Sequence, residues 1–260
     1  MTTGRGTLFL VPTPLARNPQ SPADRWLPES EHARIAAVRH FAVETPKVAR
    51  AWLALLFPGE SIRALDIRPL PRGDAAEGAG APAIDWSHWL APMLAGHSMG
   101  LLSDAGCPGI ADPGAPLVAA AHAAGIPVRP LIGPAAIVLA LMASGLQGQR
   151  FAFHGYLPVA ATERDQAIRT LAAQARAGDQ TQVLIETPYR NQAIADSLIR
   201  VLPPESVLVI AADLTGPTES IDRRTVASWR RAMPVLPRVP ATFLFGFEPA
   251  AVGRGRSRPP

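Results

Sequence analysis

Residues 103–114 read SDAGCPGIADPG, with SMGLLS (98–103) leading in and APLVAAAHAAG (115–125) and IPVRPLIG (126–133) following. The first flank is an apolar run of strand length that ends in Ser103 and Asp104, and turn formers follow at once. Asp112 before Pro113 reads as a helix N-cap and a first-turn proline, and Gly125 stands where a C-terminal glycine belongs. The segment predicts strand, loop, helix, strand. In open parallel α/β sheets such loops lie outside the carboxyl ends of strands, where backbone N–H groups and short polar side chains meet ligands. A tight connection shaped only by glycine and proline is the competing reading.

Working outward, 260 residues are enough for one large core or two smaller ones. With 48% of residues apolar and 18% charged, the chain suits a compact α/β protein rather than a disordered or fibrous one. Lys47 is the only lysine, so the isoelectric point of about 10.1 rests on arginine and overstates a net charge of +4. That balance permits contact with RNA or an acidic ligand without demanding either. Cys107 is the single cysteine, which excludes an intrachain disulfide and a cysteine-based zinc site and points to a reducing, cytoplasmic setting. It reads as a small side chain filling a gap. The histidines form no close pair at helical ligand spacing, and no metal is expected.

TLFLVP (7–12) is too short and too close to further proline for a signal-peptide core, and reads as a first strand. The uncharged stretch 130–149 is interrupted by Gly133, Pro134 and Gly145, so its helical part is too short to span a membrane; a buried helix is expected. The strand TLFLV opens into the proline-broken PTPLARNPQSPADRWLP, which would place Pro12, Thr13 and Pro14 at the same cleft as Ser103. Residues 29–40 have helical composition, FAVETP is a short strand ending near Glu44, and KVARAWLALL is a helix with Trp52, Leu53, Leu55 and Leu56 as its apolar stripe. SIRALDIRPL is a further strand region, the loop 72–85 reads as mobile, and HWLAPMLAG is a short helix. Alternation of strand and helix indicates a mostly parallel sheet covered on both faces.

A second α/β domain then begins with the helix PAAIVLALMASGL (134–146), giving expected domains of 1–131 and 132–250 and a disordered basic tail, 251–260. FAFHGYL, QVLIE, SVLVIAADL and ATFLFGFE read as strands. TERDQAIRTLAAQARAG reads as a helix closed by its glycine, and Thr187 and Pro188 as the cap and first turn of a helix reaching about Leu202. Dinucleotide-binding and phosphate-cradling glycine patterns are absent.

SDAGCPGIADPG, HAAGIPVRPLIGPAAIVLALMASGL, FAFHGYLP, VLIETPYR and ADLTGPTES together resemble the tetrapyrrole methylase superfamily of S-adenosylmethionine-dependent methyltransferases, and within it the bacterial 16S ribosomal RNA cytidine 2′-O-methyltransferases. The likeness runs in order from about Gly6 to Glu248 and is densest from Ser103 to Arg190. It implies two α/β domains with the methyl donor in the cleft between them, a homodimer, and an RNA of the small ribosomal subunit as substrate. By motif, it assigns Pro12 and Thr13 to the donor pocket, with Ser103, Asp104, Ala105, Gly106, Ile110 and Asp112 as its main wall. Gly133, Pro134 and Ala135 resemble the segment meeting the donor at the domain junction, and Glu186, Thr187, Leu214 and Thr215 the second-domain side. Asp112 and Thr187 also read as helix caps.

This chain departs from the RNA-modifying relatives in three places. It has PTPLARNPQSPADRW where a glycine- and asparagine-containing run is usual, VETPK in place of AEDTR, and a 72–85 loop without the usual histidine and asparagine. Glu44 survives as a candidate base or positioning group, and Lys47 and Arg50 could steer phosphate or simply cover a solvated helix face. Three functions stay open on sequence: a ribosomal RNA 2′-O-methyltransferase, a methyltransferase for a tetrapyrrole or other small molecule, and a noncatalytic donor-binding module.

Overall fold

The computed structural model describes residues 4–15, 26–59, 61–71 and 84–248. Most of the expected mobile loop 72–85, the middle of the loop after the first strand, and the basic tail lie outside the described residues. The chain divides between Ala135 and Ala136 into two compact units.

In the first unit, β1 (Leu8–Leu10), α1 (Glu29–Ile35), β2 (His40–Val43), α2 (Pro46–Leu56), β3 (Asp66–Pro69), α3 (Ser87–Leu94), β4 (Met99–Leu102), α4 (Ala115–Ala123) and β5 (Val128–Pro130) alternate along the chain. The strands form one sheet in the order β3-β2-β4-β1-β5, and every pairing is parallel. All four residues of β4 are buried, the pattern of a central strand covered on both sides. Side chains alternate accordingly. Phe9 and Val11 join Ile35, Phe41, Leu53 and Leu56 in one core cluster, while Leu8 joins Met93, Met99, Leu101, Leu117 and Ala121 in another. Helices α1 and α2 thus cover one face, and α3 and α4 the other.

The connection leaving β1 runs toward β2, past β4, whereas the connection leaving β4 runs toward β5, past β1. Adjacent strands whose connections diverge in this way define a topological switch point, and their carboxyl ends open a crevice.

The second unit contains α5 (Ala136–Ser144), β6 (Phe151–Phe153), α6 (Ala161–Gly178), β7 (Thr181–Glu186), α7 (Asn191–Val201), β8 (Val207–Ala212), β9 (Ser220–Thr225), α8 (Val226–Arg231) and β10 (Ala241–Gly246). Its sheet has the order β6-β7-β10-β8-β9 and is mixed, with only β6 and β7 parallel neighbours. Leu184, Leu208, Ile210, Phe243 and Phe245 pack with α6 and α7 residues around Trp229, whose indole N–H donates to Leu208 O at 3.0 Å.

Several local expectations are corrected. Helix α4 begins at Ala115 with Gly114 at its cap, so Asp112 caps nothing; Gly114 adopts φ 134°, which a side chain would resist. Helix α7 begins at Asn191, after a turn in which Arg190 N donates to Thr187 O, so Thr187 is not its cap either. In both cases proline follows the polar residue, but turn geometry absorbs it before the helix starts. Gly178 is the last residue of α6, and the left-handed position beyond it is taken by Asp179, φ 46°. Helix α1 stops at Ile35, ahead of the expected 40. Strand β9, SIDRRT, escaped detection because it is an exposed edge with charged residues and no apolar alternation. Helix α5 is not buried: only Ala140 and Ser144 are, and Met142 is 76% exposed.

Candidate active site

The crevice at the switch point is built from residues far apart in sequence. Val11 N donates to Leu101 O (2.9 Å), which carries β1 alongside β4 to its end, and Thr13 then forms an antiparallel bridge with Gly106 through two hydrogen bonds of 2.9 and 3.0 Å. Buried Thr13 donates its hydroxyl to Ser103 O at 3.2 Å. Gly106 and Gly109 have φ of 78° and 80°, and Ala111 is held at 64° without being glycine. Such conformations store strain and collect at functional loops.

On the other side, β2 delivers Glu44 to the same place. Val43 pairs with Leu102, so the next residues, Glu44 and Ser103, are neighbours. Glu44 N donates to Leu102 O (3.1 Å), and its Oε2 accepts from Asp104 N at 2.9 Å. Trp52, buried on α2, donates Nε1 to Asp104 O at 3.3 Å and meets Trp26 edge-on at 6.0 Å. Peptide groups on both sides of Asp104 are thereby fixed. Trp52 was foreseen only as part of an apolar stripe, although a buried indole N–H needs an acceptor and that need was the available signal.

Glu44, Asp104 and Asp112 form an acidic group. Burial raises the Glu44 carboxyl above its usual range; the Asp104 N–H counteracts this, and the Asp104 charge adds to it. Asp112 is pushed up to about 6, first by burial and then by Glu44, with a hydrogen bond from Ser103 offsetting part of the rise. Both carboxyls hold protons more tightly than usual. They favour a ligand that brings positive charge.

The same loop also contributes to an apolar cavity of about 530 Å³, whose lining includes Pro12, Cys107, Ile110, Val118, His122 and Leu131 but none of the three carboxyl residues. That volume is typical of a small-molecule site. The segment after β5 closes against Pro12: a Cβ at Gly133 would fall 2.1 Å from Pro12 Cγ, and Pro134 O accepts from Cys107 Sγ at 3.4 Å. Burial pushes the Cys107 thiol up, in keeping with a packed side chain rather than a nucleophile. Ala135 continues this segment to the end of the unit. Lys47 and Arg50 are exposed on α2. Among the described residues no group of three or more histidine, cysteine, aspartate or glutamate side chains is placed to hold a metal ion.

In the second unit, Glu186 ends β7 and Leu214 and Thr215 follow β8. Glu186 and Ala212 flank Ala241 on its two sides, so these residues share one sheet edge. Glu186 is buried; its Oε1 accepts from Thr187 N (2.7 Å) and Thr187 Oγ1 (3.2 Å), and its Oε2 lies 3.3 Å from the Arg190 guanidinium. The loop after β8 is organised by a residue the sequence reading passed over, Asp213, whose Oδ2 accepts from Thr218 N and Thr218 Oγ1 at 2.8 and 2.5 Å. Asp213 and Thr215 both adopt positive φ, 51° and 65°. An aspartate at the head of a turn-rich run was the signal for it.

A Pseudomonas aeruginosa ribosomal RNA small subunit methyltransferase I is 31% identical over 225 residues, covering 83% of this chain and 69% of that one. The chain belongs to the ribosomal RNA small subunit methyltransferase I family. A Micromonospora olivasterospora member is 34% identical over 221 residues, 85% of this chain and 63% of the relative. A Synechocystis member is 41% identical over 137 residues, 53% of this chain and 48% of the relative. This chain thus spans about half the length of several curated family members. No protein-family profile matches it. Two solved structures share the family's fold. The methyltransferase CobJ has a TM-score of 0.58 at 19% identity, with 97% of each chain covered. Uroporphyrin-III-C-methyltransferase from Thermus thermophilus has a TM-score of 0.50 at 20% identity, with 93% and 92% covered.

Proposed function

We propose that the protein transfers a methyl group from S-adenosylmethionine to a ribose 2′-hydroxyl of small-subunit ribosomal RNA. The observation that carries this reading is the β1/β4 switch point, where the loop 103–114 brings Asp104 and Asp112 together with Glu44 and also lends Cys107 and Ile110 to the lining of an apolar cavity. The donor fits such a site: adenine suits the apolar lining, and the cationic sulfonium and ammonium suit the carboxyl groups. Pro12, Thr13, Ser103, Asp104, Ala105, Gly106, Ile110 and Asp112 would hold the donor in the first unit, with Gly133, Pro134 and Ala135 packing behind Pro12. Glu186, Thr187, Leu214 and Thr215 stand together at one edge of their own sheet, as a shared role requires.

When bound, the donor supplies an electron-poor methyl carbon. The chain's own contribution is positioning. Glu44 and Trp52 clamp the peptide groups around Asp104, and Thr13 fixes the carbonyl of Ser103, so the loop is ordered before any ligand arrives. The Glu44 carboxyl, raised by burial, is suited to take the proton of an attacking hydroxyl. Exposed Lys47 and Arg50 would meet phosphates. Homodimerisation is supported by the apolar surface left open on α5, Val138 and Met142. The cytoplasm, where ribosomal subunits are made, is the compartment this reading implies, and no helix among the described residues is long and apolar enough to cross a membrane.

Tritium transfer from labelled donor into small ribosomal subunits of a strain deleted for the enzyme, set beside a panel of porphyrinogens, tests the reading directly. Label in the ribosomal RNA supports it. Label in a porphyrinogen alone moves the enzyme to small-molecule substrates, and absence of donor binding by calorimetry reduces it to a noncatalytic module.

A further inference from the structure

Left-handed backbone at residues other than glycine is confined, among the described residues, to Ala111, Asp179, Asp213 and Thr215. Asp179 follows the end of α6, where a left-handed residue commonly closes a helix. The other three lie in the two loops assigned to the methyl donor, 103–114 and the run after β8. Aspartate enters this region more readily than most residues, whereas a β-branched side chain there is an outlier. Thr215, at φ 65°, is therefore the costly member of the set.

Two carboxylates hold it in place. Asp213 is buried, its N–H donates to Pro240 O at 2.9 Å, and its Oδ2 accepts from Thr218 N and Thr218 Oγ1. Gly216 N donates back to Asp213 O at 2.7 Å, and a Cβ at Gly216 would fall 2.2 Å from Asp213 Oδ1, so the carboxylate packs directly against the turn. From the other end of the loop, Glu219 Oε2 accepts the Thr215 N–H at 2.6 Å. A turn that needs only a left-handed residue is made with less strain by glycine. Here threonine occupies the position, its side chain is exposed and adds nothing to the core, and its hydroxyl has no partner among the described residues. Strain that the surroundings maintain without a gain in packing marks a group kept for a ligand.

We propose that Asp213 and Glu219 are positioning residues that hold Thr215 in the conformation in which its hydroxyl meets the methyl donor. The proposal rests on the reading of the chain as a donor-dependent methyltransferase and adds to it what orders the second unit's contribution. Asp213 acts through Thr218 and Gly216, and Glu219 acts through the Thr215 amide. The loop is ordered when the chain folds, so donor binding does not bear that entropy.

Thr215→Gly is the decisive variant because it removes the strain and the hydroxyl together. Its melting temperature should rise, while the donor Kd by calorimetry and the donor KM should rise roughly tenfold with kcat within about twofold of the parent. A threonine that serves only the turn would leave donor binding untouched. Thr215→Ser keeps the hydroxyl and should bind the donor within about threefold of the parent. Glu219→Ala should raise donor Kd and KM about fivefold, and Glu219→Gln, which still accepts the amide, should restore both to within about twofold. Asp213→Ala should match Glu219→Ala, with Asp213→Asn close to the parent; if the buried alanine variant does not fold, the exposed positions 215 and 219 carry the test. Thr215→Gly and Glu219→Ala proteins that bind the donor like the parent overturn the proposal and leave methyl transfer standing, as does a Thr215→Gly protein that melts below the parent. A parent protein that binds no donor overturns both.

Discussion

The two sheet edges that carry the assigned residues hold their carboxylates in opposite ways. At the end of β7, buried Glu186 faces the Arg190 guanidinium, and Thr187 gives two donors to its Oε1, so its charge has a cation from the fold itself although Oε2 accepts no hydrogen bond. At the ends of β2 and β4, burial and the Asp104 charge raise the proton affinity of Glu44, burial and the charges of Glu44 and Asp104 raise that of Asp112, and no ion pair to Glu44, Asp104 or Asp112 is found among the described residues. A carboxylate supplied with its own cation serves the structure. Carboxylates left to repel one another are complementary to a cation that comes from outside. The contrast makes Glu186 an anchor for its edge and, on the proposed function, the acidic group of the first unit the place where a positively charged donor would gain most.

The contrast can be broken most forcefully at Arg190. Arg190→Leu strands a buried carboxylate and frees the carbonyls of Leu157 and Pro158, and about 3 kcal/mol of stability should be lost in urea denaturation. A loss below about 1 kcal/mol would show that Glu186 does not need its partner. The first unit's edge depends on close backbone approach instead. Gly133→Ala drives a methyl group into the Pro12 ring, which cannot rotate away, and a loss of about 2 kcal/mol with weakened donor binding is expected. Unchanged melting and calorimetry would mean that the segment after β5 relaxes freely.

Subtler changes separate charge from geometry within the acidic group. Glu44→Ala removes the acceptor of the Asp104 N–H and should weaken donor affinity roughly tenfold, the equivalent of one hydrogen bond to a charged group. Glu44→Gln keeps an acceptor there and should leave affinity within about threefold. A fall in turnover for the glutamine variant then isolates proton removal, whereas full turnover excludes Glu44 as the base. The smallest effect belongs to Asp112. Its folded pKa of about 6 exceeds the ordinary 3.8, so the protonated form is favoured by folding, and the stability it contributes is complete below pH 3.8 and lost as pH rises through about 6. Asp112→Asn should flatten the parent's decline in melting temperature across that window and melt above the parent at pH 7.5. Parallel curves for the two proteins would place the Asp112 carboxyl in water.

Much of this was readable beforehand where local pattern and burial agree. The four apolar residues of β4, the apolar core of β7 and the aromatic run of β10 announced themselves as strands because both faces are covered. Helix α2 showed its stripe for the same reason. Errors fell where tertiary context outweighs local chemistry. Asp112 and Thr187 precede proline and look like caps, yet each belongs to a turn spent before its helix begins. Strand β9 carries three consecutive charged residues, Asp222 to Arg224, and is a strand only because β8 offers it a free edge. Met142 looks like core and is exposed, since helix α5 rests on its sheet by a narrow strip of small residues. Trp52, Asp213 and Arg190 were missed as site builders because their roles depend on partners that no local window contains.

By itself the sequence determined most of the strand and helix segments and the parallel character of the first sheet, which follow from apolar periodicity and from turn residues with restricted backbone angles, both local properties; the assignment of residues 103–114 to a methyl-donor site came from their resemblance to a family. The tertiary structure decided which strand ends meet. Glu44 and Asp104 are 60 residues apart and share a hydrogen bond only because β2 lies against β4 with Val43 opposite Leu102. Strand order and register are set by how two cores pack on a sheet as a whole, and that choice leaves no mark on the residues it brings together.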